Sequence, residues 1–204
     1  MSSTFIKASL FIAALLLISA PSFARADEAT PTPHFGDAGQ VALHLNDGVN
    51  ASQGDIVTGP QIQLDYFVAD HLSLGVMAGV NWYSNSSVND SSTSVVFRVG
   101  PRVGYDIPIS SRVSFWPQVG VDFRSDHETA ALSGNSGSTA GSTTYAFAVA
   151  VVAPLLIHPT PGFFVGAGPA FYAELSNSTS SAGTSNDNGK ETSLGLMATI
   201  GGAF

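Results

Sequence analysis

Seven charged residues fall on the polar faces of segments that alternate polar and apolar side chains: Asp65, Arg98, Arg102, Asp106, Asp122, Arg124 and Glu174. Three are guanidinium groups and four are carboxylates. Such a set could line an ion path or a binding site, or could form an internal network of salt bridges and hydrogen bonds. A pore favours one dominant sign. Charges withdrawn from water need partners of the opposite sign, and the near balance here points to the network.

Other residues invite catalytic comparison and fail it. His71-Leu72-Ser73 offers the base and hydroxyl of an acid–His–Ser relay. The acid nearest to it in sequence is the adjacent Asp70, and the segment has the composition of a tight turn. His127-Glu128 lies in a polar stretch with no third ligand or nucleophile beside it. His44 reads as a polar side chain on the inner face, near the outer part of the first strand. The chain has no Cys, so thiolate nucleophiles and Cys-based metal sites are excluded. Gly100-x-x-x-Gly104 and Gly166-Ala167-Gly168 sit inside strands and open no helix, so a phosphate-loop reading lacks its structural condition. No catalytic, cofactor-binding or metal-binding residue is assigned.

The elements that must position these groups are strands. Period-two alternation recurs eight times, near 38–46, 59–69, 71–83, 93–107, 112–124, 143–157, 162–175 and 191–204. In the second, Ile62, Leu64, Tyr66 and Val68 oppose Gln61, Gln63 and Asp65. In the fourth, Val95, Phe97, Val99, Val103 and Tyr105 oppose Arg98, Gly100, Arg102, Gly104 and Asp106. In the last, Leu194, Leu196, Ala198, Ile200 and Phe204 oppose Ser193, Gly195, Met197, Thr199 and Gly201. The sixth is apolar on both faces. With the turn between the fourth and fifth strands centred on Ser110, Arg98 faces Asp122, Arg102 faces Gln118 and Asp106 faces Ser114.

The connections alternate in length. Tight turns are expected at 69–71, 108–111 and 158–161. Longer links rich in Ser, Asn, Gly, Thr and Asp are expected at 47–58, 84–92, 125–142 and 176–190. The N-terminus has the pattern of a cleaved export signal: Lys7, an apolar stretch from Ala8 to Ala20, and Ala24-Arg25-Ala26. The alternative is an N-terminal membrane anchor, for which that apolar stretch is short. Cleavage after residue 26 leaves a short segment at 27–37 and the strand-bearing domain at 38–204. It also removes Lys7 and Arg25 and leaves five basic residues against 15 acidic ones. That balance excludes nucleic-acid binding and polybasic attachment to anionic lipid.

Alternation alone fits a soluble barrel as well as a membrane one. Three features favour the membrane. Charged residues make up 11% of the chain, against about 25% in soluble domains, so the polar faces would make a poor solvated exterior. Aromatic residues gather near strand ends (Tyr66, Phe67, Trp82, Tyr83, Tyr105, Phe115, Trp116, Phe123, Phe163, Phe164, Phe171 and Tyr172), as in interfacial girdles. The final strand carries its alternation to Phe204.

Together these residues resemble the outer-membrane β-barrel superfamily of Gram-negative bacteria, the broad group of OmpA- and OmpX-like barrels. Gln61-Ile62-Gln63-Leu64-Asp65-Tyr66-Phe67-Val68-Ala69-Asp70-His71-Leu72-Ser73-Leu74-Gly75 resembles a strand-turn-strand of that group. Gly100-Pro101-Arg102-Val103-Gly104-Tyr105-Asp106-Ile107-Pro108 resembles another of its strands. The resemblance spans about 38–204 and implies an all-β, eight-stranded antiparallel up-and-down transmembrane β-barrel. It also implies contact with outer-membrane lipid and lipopolysaccharide, insertion by the barrel-assembly machinery with Phe204 as its signal, short periplasmic turns and four polar extracellular loops. No peptidoglycan-binding domain like that of OmpA is read in the sequence, so no cell-wall tether is expected. The expected role is non-enzymatic, structural or surface-interacting, in a monomer without cofactors. The alternatives are a lipid-modifying enzyme or a minor small-solute channel. Deleting Phe204 is expected to slow or block assembly, measured as a smaller fraction of heat-modifiable, folded protein in membranes.

Overall fold

The computed structural model describes residues 34–50, 58–86, 90–132, 139–181, 184–187 and 191–204. Its strands are β1 (Val41–Asn50), β2 (Thr58–Ala69), β3 (Leu72–Ser86), β4 (Asp90–Tyr105), β5 (Ile107–Ser110), β6 (Val113–Phe115), β7 (Gln118–Leu132), β8 (Thr139–Val152), β9 (Leu155–Thr160), β10 (Phe163–Ser181), β11 (Thr184–Asp187) and β12 (Thr192–Ala203). All pairings are antiparallel. Neighbours follow in the order β1, β2, β3, β4, β7, β8, β10, β12, and β12 returns to β1 with Leu45 opposite Ile200. The result is a closed ring of eight walls, the number read from the alternation. Closure matters because lipid offers no partner to a free strand edge.

Three walls are each made of two strands in line. β4 continues as β5 beyond Asp106, β6 as β7 beyond Trp116-Pro117, and β8 as β9 beyond Ala153-Pro154. Proline has no N–H to give a ladder. At these breaks Tyr105, Trp116 and Ala153 donate their N–H groups to the carbonyls of Pro117, Pro154 and Pro169, at 3.0 Å each.

The side-chain pattern is inverted relative to a soluble protein. Leu64 is 45% exposed and Leu196 is 66% exposed, while Gln63 and Asp65 are sealed at 1% and 0%. Apolar groups face outward, to lipid, and polar groups face inward. Tyr66, Trp82, Tyr105, Phe163 and Phe171 lie on the outer face, while Tyr83 follows Trp82 on the opposite face, beside Ser94. Phe67, Trp116, Phe164 and Tyr172, expected in the same girdles, are instead buried inside. For Phe67 the parity was available, since it shares its face with Gln63 and Asp65.

The long links also differ from expectation. Most of 125–142 and 176–190 is strand, with β7 reaching Leu132, β8 starting at Thr139, and β10 running to Ser181 before β11 pairs back on it. Beyond the apolar belt a strand needs no hydrophobic alternation, so its polar continuation carries no period to read. At the opposite end the turns are Asp70-His71, Ser111-Arg112 and Pro161-Gly162. The second lies further along the chain than expected, with a register shift between Pro108 and Ser110. This moves every partner by two residues: Arg98 faces Arg124, Arg102 faces Gly120, and Gly104 faces Gln118. Pro108, not Asp106, faces Ser114.

The described part of the segment expected at 27–37, residues 34–37, docks on the base of the ring, where Phe35 is buried. The export signal expected at 1–26 lies outside the described residues.

Val76 sits outward in the middle of the apolar run of β3, whereas Ser84 is exposed in its polar continuation. Val76→Arg is expected to destabilise the barrel by about 2–4 kcal/mol, the penalty for an arginine at mid-bilayer depth. Ser84→Arg is expected to change stability by less than about 1 kcal/mol. Denaturant unfolding midpoints in phospholipid bilayers provide the comparison.

Candidate functional site

The inward side chains form layers. At the short-turn end Phe35, Ala42, Phe67, Trp116, Leu156 and Phe164 make an apolar cluster. Phe35 lies at its centre, with ring centroids 5.2 Å from Phe67, 5.2 Å from Trp116 and 5.0 Å from Phe164. The edge-on and tilted packing suits the charge distribution of aromatic rings.

Above this cluster is a polar layer centred on His44. Its Nε2 lies 2.8 Å from Asp65 Oδ2, and its Nδ1 lies 3.0 Å from Thr199 Oγ1 and 3.1 Å from Asn46 Oδ1. The carboxylate can only accept, so Nε2 carries a proton. Gln63 Nε2 donates to Asp65 Oδ2 at 2.9 Å and to Gln118 Oε1 at 2.9 Å, and Asn46 Nδ2 donates to Gln63 Oε1 at 3.0 Å. The order Asp65–His44–Thr199 is that of a nucleophilic relay. All three groups are buried, at 0%, 3% and 4% exposure, and Thr199 shares Nδ1 with Asn46. A substrate carbonyl has no contact with such a hydroxyl, and the arrangement instead partners a carboxylate held away from bulk solvent. His44 thus stands just above the aromatic base, its ring 5.2 Å from that of Trp116, rather than toward the outer part of β1.

The next charges pair along the inner wall, between neighbouring strands. Arg102 Nη1 donates to Asp122 Oδ1 and, at 3.1 Å, to the carbonyl of Pro101. Gly120 stands directly opposite Arg102, and a Cβ there would overlap the guanidinium. The Arg102–Asp122 contact is diagonal because of the two-residue register change, which also separates Arg98 from Asp122. Arg98 and Arg124 instead stand side by side. Like charges in this position repel, and each turns to a different neighbour. The Arg98 guanidinium lies 5.4 Å from the centre of the Tyr172 ring, a cation–π distance. Arg124 Nη1 donates to Glu174 Oε1 at 3.2 Å, and its Nη2 lies 3.8 Å from Asp126 Oδ2. Asn177 Nδ2 also donates to Glu174, at 3.0 Å, and Ser94 Oγ donates to Asp126 at 2.6 Å. Between these layers Ala150, Val152, Ala170, Tyr172 and Met197 form a second apolar cluster. This accounts for the sixth wall being apolar on both faces.

Asp106 is buried at the short-turn end, with its Oδ2 3.5 Å from His71 Nδ1. The acid beside His71 is therefore Asp106, brought there by pairing of Leu72 with Tyr105, and not only its sequence neighbour Asp70. His158, expected in a turn, is buried in β9 with its Nε2 3.0 Å from Ser114 Oγ. Asp126 fell within an expected loop, although it continues the inward series Asp122, Arg124. Phe204 places its backbone in the closing seam: Val41 N–H donates to Phe204 O at 2.9 Å, and Phe204 N–H donates to Val41 O at 3.0 Å.

Residues 10–149 match the family model described as "Outer membrane protein beta-barrel domain". The chain belongs to that family. This outer-membrane barrel shares its fold with a major outer membrane protein of Thermus thermophilus. The TM-score is 0.56 at 11% identity, covering 82% of this chain and 100% of that one. Similar solved structures include the N-terminal β-barrel domain of Pseudomonas aeruginosa OprF, with TM-score 0.43, 12% identity and coverage of 82% and 98%. Another is Ail, the attachment invasion locus protein of Yersinia pestis, with TM-score 0.42, 14% identity and coverage of 81% and 95%. No curated protein sequence matches the chain significantly. Family membership places the barrel in the outer membrane.

Removing one partner of a buried ion pair leaves the other charge stranded, at a cost of about 3–5 kcal/mol. Arg102→Met and Asp122→Leu are each expected to destabilise the barrel by about that amount. The double variant should recover most of the loss. Unfolding free energies of the four proteins in lipid, combined as a double-mutant cycle, measure the coupling.

Proposed function

We propose that this is a non-enzymatic outer-membrane barrel, exported through a signal cleaved after Ala26 and inserted by the barrel-assembly machinery. Its work is done outside the lumen, through the long polar hairpins it presents to the cell exterior and through the lipid and lipopolysaccharide around it. One observation carries this reading: inward charged and polar groups bond to one another within a narrow lumen, whereas the polar hairpins continue the walls beyond the apolar belt. Asp65, Arg98, Arg102, Asp106, Asp122, Arg124 and Glu174 then have a structural role. They let an eight-stranded ring, whose interior is just wide enough for side chains, close around a polar filling. The polar hairpins offer a wide, hydrogen-bonding surface that lies beyond the apolar belt.

The β7–β8 hairpin can be shortened by joining His127 to Thr143, which are paired directly, through a two-residue Asn-Gly turn suited to a tight hairpin. The β3–β4 and β10–β11 hairpins can be shortened in the same way. Insertion and the heat-modifiable shift should be unchanged, while attachment of whole cells to surfaces or to other cells should fall several-fold. Unchanged attachment would remove the surface-interaction role, and unchanged detergent sensitivity of a deletion strain would remove the envelope role.

A further inference from the structure

The residues before β1 do something the barrel alone does not require. Two turns, at Phe35-Gly36 and Ala38-Gly39, carry the chain beneath the lumen before β1 begins. Gly36 and Gly39 have φ of 95° and 90°, a region that side-chain-bearing residues rarely adopt. A Cβ on Gly36 would lie 2.9 Å from Asp106 Oδ2 and 3.1 Å from His71 Nδ1, so only glycine lets the turn nest against that pair. Among the described residues, His71 is the non-glycine residue with positive φ, at 68°. Its N–H donates to Gly36 O at 2.6 Å, and its carbonyl accepts from Asp106 N–H at 2.7 Å.

The remaining attachments are few and polar. Gly39 N–H donates to Phe67 O at 2.8 Å and Phe67 N–H donates to Gln40 O at 2.9 Å. Ala38 N–H donates to Asp70 Oδ1 at 3.1 Å, and Gly36 N–H donates to Gln40 Oε1 at 3.0 Å. These bonds tie the segment to the rim on the β2–β3 side. Phe35 reaches further. Its ring touches Phe67 of β2, Trp116 beside β7, His158 of β9 and Phe164 of β10, and so crosses the mouth from one side to the other. Immediately above it lie His44, Asp65 and Thr199, whose polar groups bond to one another.

We propose that residues 34–40 are a displaceable plug that closes the short-turn mouth of the barrel, with Phe35 as its stopper and the Asp70-His71 turn with Asp106 as its dock. The plug keeps water and small solutes from the buried polar layer. The walls hold themselves together through their own ladders, so the ring stands without it. This proposal concerns the mouth alone and is independent of what the hairpins contact.

The chain has no Cys, so one introduced thiol reports access. Ser73 faces inward at 0% exposure, and its hydroxyl has no hydrogen-bond partner among the described residues. Ser73→Cys therefore replaces it at little cost, beside Phe67. The folded Ser73→Cys protein is treated with a small water-soluble methanethiosulfonate, alone and combined with Phe35→Ala or Phe35→Leu. The plug predicts slow labelling of the single variant, at least tenfold faster labelling with Phe35→Ala, and near-original protection with Phe35→Leu. Equal rates with Phe35 and with Ala at that position would overturn the proposal. So would loss of the folded, heat-modifiable band in Phe35→Ala, because Phe35 would then be a core residue needed for assembly and not a separable stopper.

Discussion

Closure of the backbone ladder constrains everything else in this molecule. A strand edge in hydrocarbon leaves N–H and C=O groups with no partner, at several kcal/mol for each, so β12 must return to β1. Eight strands that close set the radius of the ring. The radius then dictates the filling: enough room for two inward side chains to meet across the lumen, too little for a wide aqueous channel. The polar groups on the inner face are thereby forced into contact with one another. Gln63 of β2 and Gln118 of β7 meet for this reason, as do Arg98 of β4 and Tyr172 of β10.

The interior accordingly behaves as a core with its polarity reversed. In a soluble domain apolar side chains leave water together and polar ones stay behind. Here the lipid takes the apolar faces, and the narrow lumen must satisfy donors and acceptors from its own side chains. Amides do much of this work. Gln63 alone links Asn46, Asp65 and Gln118, using both its donor and its acceptor capacity. The two apolar clusters, one at the base and one around Tyr172 and Met197, separate the polar layers along the axis. They give the lumen alternating polar and apolar layers.

The fold was largely legible because period two is a strong signal when lipid lies on one side of every wall. The wall count, the outward set led by Leu64 and Leu196, and the inward charges all follow from that parity. The misreadings come from features that parity does not encode. The hairpin turn at Ser111-Arg112 set the partners of Arg98 and Arg102, and its position depends on a local irregularity between Pro108 and Ser110. The polar continuations of β7, β8 and β10 carry no apolar rhythm. Phe67 differs: its parity sets it on the inner face with Gln63 and Asp65, whereas its nearness to a strand end points to the girdle. Phe35 gave no signal, because an isolated aromatic before the first strand acquires its meaning only from the ring it enters. His71 and Asp106 are 35 positions apart in the sequence and meet through a pairing that had to be known first.

The proline breaks in the walls have a mechanical meaning. Tyr105 to Pro117, Trp116 to Pro154 and Ala153 to Pro169 form successive rungs that step diagonally from the fourth wall to the seventh. At each step a proline accepts a bond and can donate none. The line is a crease in an otherwise continuous fabric. Below it, β5, β6 and β9 form a flap whose rungs join it to β10, and at each break a proline carbonyl accepts the bond that keeps adjoining walls together.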